Sequence, residues 1–503
     1  MLFFKYLTNI IIFLCLKMRQ LKIIFMPLLI DKLMNKKISV VFLIVLAMFS
    51  CNKDTTTTNL PAASGPTINV TINQNQPGIV IPQKFQGLSF ETKILSQNPE
   101  FLNVNNAVLI QLIKNLGPGI LRIGGGTSDE VEWTGHARTA LSGEDSLTTT
   151  DIDRMSAFAK IIGWPVLFGL NLADNNINKA VNESLYVHNS LNGNLYAFQS
   201  GNEPDVFNLG ARPSTYNYNS YKEEWEDYLY AVRNLLPLDD FAGPDVAYNT
   251  DWYTSFTESE HSKVKLLDGH RYLTGPASST SITYHTILEY SVGLSIYLQP
   301  LKNEAAKYGV PYRITECNSI YGGGKPGVSD VFAATLYSLD FMWAVAANKS
   351  EGVNFHGGNG LCYSPVLMQA NNVYAAGPVY YAMLAFKYGS TGGAMLPTTT
   401  TNSSYCTAYS VVNPDNTYTV TLINKDYKTD YAFNLQLSKT ASSVQIARLT
   451  APSITSTTGI TFADVSVNAG GAFNPGSKEE YTVNATKFVI NVPAGSAAVV
   501  TVK

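Results

Sequence analysis

The chain has 503 residues, a formal net charge of −3, 15% charged and 11% aromatic residues. That length accommodates one large domain plus a smaller one, and the near-neutral balance excludes a basic nucleic-acid binder and an acidic disordered tail. The 29 tyrosines suit a carbohydrate ligand, which offers hydroxyls and apolar C–H faces together.

Residues 1–51 read as a leader outside the fold. Met34-Asn35-Lys36-Lys37 is a basic segment, and residues 38–49 form an apolar stretch of signal-peptide length. Ser50-Cys51 follows, an order that resembles a bacterial lipoprotein processing site with Cys51 lipidated. Phe49 departs from the small residue usual there, and a plain secretory signal is the alternative. Residues 1–33 read as a false start or an extension, because Lys5, Lys17, Arg19 and Lys22 interrupt every apolar run before the ~18 residues of a spanning helix. The expected location is the bacterial cell envelope, reached through the lipid anchor alone. Residues 52–66, rich in Thr, Asn, Ala, Ser and Pro, read as a flexible tether.

Residues 67–80 alternate at Ile68, Val70 and Ile72 and predict a strand ending at Pro77-Gly78. Residues 85–91 predict a second strand, and 107–116 a helix stopped by Gly117-Pro118. Residues 120–123 predict a strand running into Gly124-Gly125-Gly126-Thr127. This is not a dinucleotide fingerprint, since Asp129 stands where a third glycine is required. A helix is predicted over 151–162, then strands over 164–171 and 195–200. Over 216–236, Trp225, Tyr228, Leu229 and Val232 recur at helical spacing and read as core. Strands over 241–244 and 263–272, one helix over 282–308, a strand over 310–319, a helix over 332–347, a last strand over 352–356 and a closing helix over 377–388 complete the series. This alternation across residues 83–391 predicts an α/β fold, a (β/α)8 TIM barrel. From residue 392 to 503, short alternating runs at 405–412, 417–424, 432–437, 443–449, 481–490 and 497–502 predict an antiparallel β-sandwich, which the strand within 67–82 joins.

Of the five cysteines, only Cys317, Cys362 and Cys406 fall in these regions. An odd number without close spacing argues against a disulfide framework or a zinc site, and Cys317 reads as a buried packing residue.

Two carboxylates carry the functional signal. In Gly201-Asn202-Glu203-Pro204, proline cannot donate a ladder hydrogen bond, so the strand stops and Glu203 stands at its end. Thr315-Glu316-Cys317-Asn318-Ser319 sits in a second strand-like run, with the two glutamates 113 residues apart, room for about three βα units. At the C-terminal ends of two non-adjacent barrel strands they face each other across the mouth. That arrangement suits glycoside hydrolysis, with one carboxyl group as acid and base and the other as nucleophile.

Beside these motifs stand Gly87-Leu88-Ser89-Phe90-Glu91, Leu121-Arg122-Ile123-Gly124-Gly125-Gly126-Thr127, and Tyr321-Gly322-Gly323-Gly324, five residues beyond Glu316. With them the chain, from about residue 67 to 503, resembles glycoside hydrolase family 79, the β-glucuronidase and heparanase-like family. The resemblance implies a retaining hydrolase that removes β-linked glucuronic acid from glycans, with Glu203 as acid/base, Glu316 as nucleophile and Asn202 on the sugar 2-hydroxyl. It implies recognition of the uronate carboxylate by Tyr321, by the Gly322-Gly323 loop and by Tyr363, which follows the last barrel strand in Gly357-Gly358-Asn359-Gly360-Leu361-Cys362-Tyr363. The glycines permit a close backbone approach that turns N–H groups on one anion.

Glu91 and Thr127 end strands at the mouth, where they either bind sugar hydroxyls or serve the structure. His270 and Tyr272 precede the Glu316 strand and are placed to position the nucleophile. Lys325 reads as a solvated loop residue rather than a uronate partner. No cofactor and no metal are expected, and the partner is a uronic-acid-containing glycan bound by a monomer. The alternatives are an endo-acting heparanase-like glucuronidase and a surface glycan-binding lipoprotein without catalysis.

Overall fold

The computed structural model describes residues 59–289, 292–358, 360–369, 372–390, 392–401 and 404–503. The leader, Cys51, tether residues 52–58 and Asn359 lie outside the described residues.

Eight parallel strands form the central sheet: β2 (Gln86–Glu91), β3 (Ile120–Gly124), β4 (Val166–Leu170), β5 (Leu195–Ser200), β6 (Ala242–Val246), β7 (Leu266–Thr274), β8 (Tyr312–Ile320) and β9 (Val353–Gly357). They pair in chain order, β9 pairs with β2, and a parallel bridge from Phe198 to Phe241 joins β5 to β6 and closes the barrel. β3, β4, β6 and β9 are buried at every residue, as parallel strands covered by helices must be. The helices are α1 (Ala107–Leu116), α2 (Thr149–Ile162), α3 (Ile177–Leu191), α4 (Tyr218–Leu235), α5 (Thr250–Glu260), α6 (Val292–Tyr308), α7 (Phe332–Ala347) and α8 (Pro378–Ser390), one after each barrel strand. The expected barrel and sheet domain are both present.

Sequence periodicity did not disclose α3 or α5. The buried set of α3 includes Glu183 and Ser184, and that of α5 includes Thr257 and Glu260, so polar residues blur the apolar stripe. Asparagine N-caps at Asn176 and Asn249 accept backbone N–H groups and start both helices. The helix expected over 282–308 is two pieces, Tyr284–Leu288 and α6.

The second region is built from β1 (Thr67–Ile72), β10 (Ala394–Leu396), β11 (Thr398–Thr400), β12 (Cys406–Val412), β13 (Tyr418–Asn424), β14 (Tyr431–Thr450), β15 (Glu479–Val492) and β16 (Ser496–Val502). The runs expected at 432–437 and 443–449 are one strand, β14. Its register with β15 shifts around Ala441, so its first half pairs with β1 and its second half with β16. Ile68, Val70, Leu435, Val444, Ile446 and Val500 pack together in the buried core of this region. β1 ends at Ile72 rather than at Pro77-Gly78, and it runs parallel to β14, a departure from the purely antiparallel pattern expected. Asp340 of α7 accepts from Thr407 and Tyr409 of β12 and from Lys425 after β13, which fastens this region to the barrel. Among the described residues no helix is long and apolar enough to cross a membrane.

Candidate active site

Glu316 lies inside β8, four residues before the strand ends, where the register with both neighbouring strands shifts. Such an irregularity re-aims a side chain, and here the carboxylate faces the barrel mouth with the residue only 7% exposed. Glu203 is reached differently. β5 stops at Ser200, and Glu203 takes a left-handed backbone (φ 53°) ahead of the short 3₁₀ turn Pro204–Leu209. Its N–H donates to the Asp245 carbonyl (3.0 Å). Few non-glycine residues adopt that φ, and those that do cluster at functional sites. A carboxylate oxygen of Glu203, a ring nitrogen of His270 and a carboxylate oxygen of Glu316 lie within 4.8 Å of one another.

Glu316 is held by donors on two sides. Arg122 of β3 donates from Nη1 to Oε2 (2.7 Å), and the Tyr272 hydroxyl donates to Oε1 (2.7 Å). His356 Nδ1 stands 3.5 Å from Oε2. Burial pushes the Glu316 carboxyl up, but the charges of His356, His270 and Arg122 and the Tyr272 hydrogen bond outweigh it, holding the group well below the usual carboxylate range.

Arg122 engages all five of its donors in this cluster: Glu316 and Ser89 on Nη1, Asp245 and Asn202 on Nη2, Gln199 on Nε. Asp245 in turn meets His270 Nε2 (2.9 Å) and accepts from Thr315 (3.0 Å) and Gln199 (2.6 Å). His270 Nδ1 reaches Glu203 Oε1 (2.8 Å). A buried chain therefore runs from Glu316 through Arg122, Asp245 and His270 to Glu203. Burial lowers the affinity of His270 for its proton, yet Asp245 and Glu316 outweigh burial and the net shift is upward. Asp268 accepts from Gln199 and from the Asp245 N–H, and burial beside the Asp245 charge pushes its carboxyl up to about 8. The cluster thus sets Arg122, Asp245, Asp268 and His270 between the two glutamates.

Asn202 presents its Oδ1 to Arg122, which leaves its amide N–H₂ directed elsewhere, and its backbone N–H donates to Asp129 (2.7 Å). Asp129, the residue that breaks the dinucleotide pattern, thereby fixes the turn that carries Asn202. Glu91 accepts from the Thr127 N–H (2.8 Å) and hydroxyl (2.5 Å), and meets His356 Nε2 (3.2 Å). Glu91 is thus engaged with both Thr127 and His356.

The loops above Glu316 join two glycine-rich segments. Gly322, Gly323 and Gly324 have φ of 81°, 92° and 81°, a run that excludes side chains. A Cβ on Gly324 would stand 2.8 Å from Cys362 Sγ and 2.9 Å from the Tyr363 ring. Among the described residues, the N–H groups of Gly322, Gly323 and Gly324 make no hydrogen bond. Tyr363 is 3% exposed, with its hydroxyl 3.4 Å from that of Tyr272, whereas Tyr321 is 48% exposed at the rim. Lys325 donates to the carbonyls of Ser279 and Ile282, so it is neither a solvated loop residue nor placed as a uronate partner.

Glu203, Glu316, Asn202, Tyr272, His270, Tyr363, Glu91 and Thr127 thus converge on one mouth, with Tyr321, Gly322 and Gly323 on its rim. One expectation needs correction: His270 is bonded to Glu203 and Asp245, not to Glu316, because the strand pleat and the Glu203 turn bring its Nδ1 to the other glutamate. Sequence reasoning assigned no role to Arg122, Gln199, Asp245, Asp268 or His356. The available signal was a polar or charged residue inside an otherwise buried strand. Cys317 is buried, with Sγ directed to the Asn354 carbonyl.

Residues 408–499 match the family model described as the glycosyl hydrolase family 79 C-terminal beta domain. The chain is 27% identical to a beta-glucuronidase of Neurospora crassa over 339 residues, 58% of this chain and 57% of that protein. It is 22% identical to heparanase-like protein 3 of Arabidopsis thaliana over 375 residues, 68% of each. The chain spans about half the length of the curated β-glucuronidases it matches. Among solved structures, a 4-O-α-L-rhamnosyl-β-D-glucuronidase from Fusarium oxysporum 12S superimposes with a TM-score of 0.69 at 23% identity, covering 86% of this chain and all of that one. A GH51 arabinofuranosidase from Xanthomonas axonopodis pv. citri follows the same fold, with a TM-score of 0.65 at 15% identity, covering 87% of this chain and all of that one. With its closed barrel, its C-terminal sheet region and these relatives, the chain is similar to the proteins of glycoside hydrolase family 79.

Proposed function

We propose that the protein is a retaining β-glucuronidase working by double displacement. The observation that carries this reading is the pair Glu203 and Glu316, with oxygens within 4.8 Å in unlike surroundings. Retaining enzymes separate their carboxyl groups by ~5–5.5 Å, whereas an inverting pair leaves room for a water between them.

Glu316, kept ionised by Arg122, Tyr272 and His356, attacks the anomeric carbon. Glu203 gives its proton to the leaving oxygen, then takes one from the water that releases the sugar. Charge balance favours this order. The Arg122–Asp245–His270 chain carries one net positive charge when His270 is protonated. It faces the Glu316 carboxylate before the first step and the Glu203 carboxylate after it. One negative charge is thus always paired, while its position alternates between the two glutamates.

Tyr321, the free N–H groups of the Gly322–Gly324 run and Tyr363 supply neutral donors for the uronate carboxylate, and the amide of Asn202 is available to the sugar 2-hydroxyl. The curated relatives that carry the name beta-glucuronidase support the substrate class. Anchoring through a lipidated Cys51 in the bacterial envelope belongs to the same proposal, and mass spectrometry of the mature N-terminus tests it. An unmodified terminus downstream of Cys51 rules the anchor out.

Turnover of an aryl β-glucuronide, well above that of the matching aryl β-glucoside, is the expected result. Proton NMR of the first-formed sugar should show the β anomer. An inverted product removes the roles given to both glutamates, and a preference for the glucoside removes the uronate pocket.

A further inference from the structure

The turn that carries Asn202 and Glu203 is strained, and its neighbours hold it from outside. Gly201 takes φ 81° and Glu203 φ 53°, in the left-handed region that a non-glycine residue enters only at a cost. A Cβ on Gly201 would stand 2.9 Å from Leu172 Cδ2, so the turn lies directly on the loop that follows β4. One side chain joins the two segments. Asp129 ends the 3₁₀ turn Gly126–Asp129 after β3. It accepts on Oδ1 from the N–H groups of Leu172 (2.8 Å) and Ala173 (3.1 Å), and on Oδ2 from the N–H of Asn202 (2.7 Å).

Both oxygens of this carboxylate are therefore committed to backbone donors, one to each loop. Hydrogen bonds onto an ionised acceptor are the strong ones. The group is ionised at neutral pH, because burial raises its pKa only to about 6 against the three N–H groups. The far side of the β4 loop is held as well. Arg212 donates to the carbonyls of Leu172 (2.8 Å) and Ala173 (2.8 Å) and is itself paired with Glu224 (3.0 Å). Asp129 thus transmits the position of one braced loop to the other, and its last bond ends on the backbone of Asn202.

Asn202 has little freedom of its own. It is 8% exposed, and its Oδ1 accepts from Arg122 Nη2 (2.9 Å). Among the described residues its amide N–H₂ makes no hydrogen bond. With the backbone held by Asp129 and the side-chain oxygen by Arg122, the direction of that N–H₂ is fixed. Hydrogen bonds to a sugar 2-hydroxyl strengthen in the transition state, and a misplacement of ~1 Å can cost about a hundredfold in rate.

We propose that Asp129 is a positioning residue, which sets the reach of the Asn202 amide to the sugar 2-hydroxyl through the backbone of Asn202. This rests on the role given to Asn202 above. Asp129→Asn is a selective probe of it. The amide offers one acceptor oxygen and one N–H₂. The N–H₂ must then face either the Asn202 N–H or the pair from Leu172 and Ala173, donor against donor.

The test compares kcat/KM for 4-nitrophenyl β-glucuronide and its 2-deoxy analogue in the full-length wild type and in Asp129→Asn, Asp129→Glu, Asn202→Ala and Asp151→Asn. The analogue differs in intrinsic reactivity, and that difference cancels when the ratio of the two substrates is compared between enzymes. The parent-to-deoxy ratio should fall at least tenfold in Asp129→Asn, with the loss for the parent mainly in kcat. Asp129→Glu keeps the charge but moves it by one methylene. It should lower the ratio too, and it carries the test where Asp129→Asn does not fold. Asp151→Asn removes a buried carboxylate at the start of α2 that accepts from Thr148, Arg138 and Arg154. Its Tm should fall while its ratio stays that of the wild type. A wild-type ratio in the Asp129 variants overturns the proposal whatever their Tm, and so does an equal fall in Asp151→Asn. A wild-type ratio in Asn202→Ala removes the 2-hydroxyl role and the proposal with it, and leaves the glucuronidase reading standing. A wild type that turns over neither substrate overturns that reading as well.

Discussion

The two sides of the barrel mouth hold the same residue type under opposite conditions. Glu316 is part of a strand, buried, and gripped by Arg122 and Tyr272 with His356 close by. Glu203 projects from a strained turn beyond a strand end, its side chain 27% exposed, and His270 is the one ion-pair partner it has among the described residues. A carboxylate surrounded by fixed cations is a poor base and a stable anion. A carboxyl group with one partner and open space beside it can give and take a proton. Under the proposed mechanism, two identical side chains acquire two chemistries from their settings.

The strongest test of that contrast is removal of the anion. Glu316→Gln keeps the shape but loses the attacking charge, and kcat for an aryl glucuronide should fall by on the order of 10⁴-fold or more, by analogy with other nucleophile deletions. The protein should still bind the glucuronide. Residual turnover within tenfold of wild type would mean that Glu316 is not the attacking group.

Glu203→Gln sharpens the comparison because its effect should depend on the leaving group. A phenyl glucuronide, which needs protonation, should lose about 10²–10⁴-fold, the range for general acid catalysis. A dinitrophenyl glucuronide, which leaves unaided, should lose far less in its first step. Equal losses for both substrates would place the acid elsewhere.

Asp245 links the two sides, and Asp245→Asn should disturb both. Removing one partner from a buried charge network costs ~3–5 kcal/mol, readable as a lowered urea midpoint. A fall of under 1 kcal/mol would mean that Arg122 and His270 hold their places without it.

Tyr321→Phe and Tyr363→Phe probe the sugar itself. Each removes a hydroxyl donor to the uronate, and a hydrogen bond to a charged group contributes ~1.5–3 kcal/mol. Each should therefore lower kcat/KM for the glucuronide by roughly ten- to a hundredfold, and for the glucoside far less. Tyr363 should give the larger loss, because it is buried and Tyr321 is not. An unchanged glucuronide-to-glucoside ratio in both variants would relocate the carboxylate.

The smallest effect is a pH dependence of stability at His356. Burial lowers its proton affinity, but Glu316 and Glu91 outweigh burial and raise its pKa above the ordinary value. A group whose pKa is raised on folding stabilises the fold fully below its unfolded pKa of about 6.5, and loses that contribution as pH rises through the folded value. The Tm difference between wild type and His356→Gln should be greatest below pH ~6.5 and shrink above it. A difference that grows with pH would reverse the sign of the coupling.

The sequence by itself was enough for the barrel strands and for the two glutamates. Parallel strands buried on both faces read as apolar runs, and Pro204 and the Glu316 motif mark where two of them meet the mouth. Helices α3 and α5 were not legible, since their buried faces carry Glu183, Thr257 and Glu260, and periodicity is read from apolar residues. β14 was read as two strands because its bend around Ala441 is held by partners hundreds of residues away in β1 and by β15, not by a local turn signal. The site shows the same division. Which residues are acids is a local fact. Which of them stays charged depends on groups from β2, β3, β5, β6, β7 and β9 that meet only when the barrel closes. Arg122 lies 194 residues from Glu316 in the chain and donates to it at 2.7 Å, and His270 pairs with Glu203 rather than with its nearer neighbour in sequence. Electrostatic environment is set by distance in space and by exclusion of water, and neither is written in the order of residues.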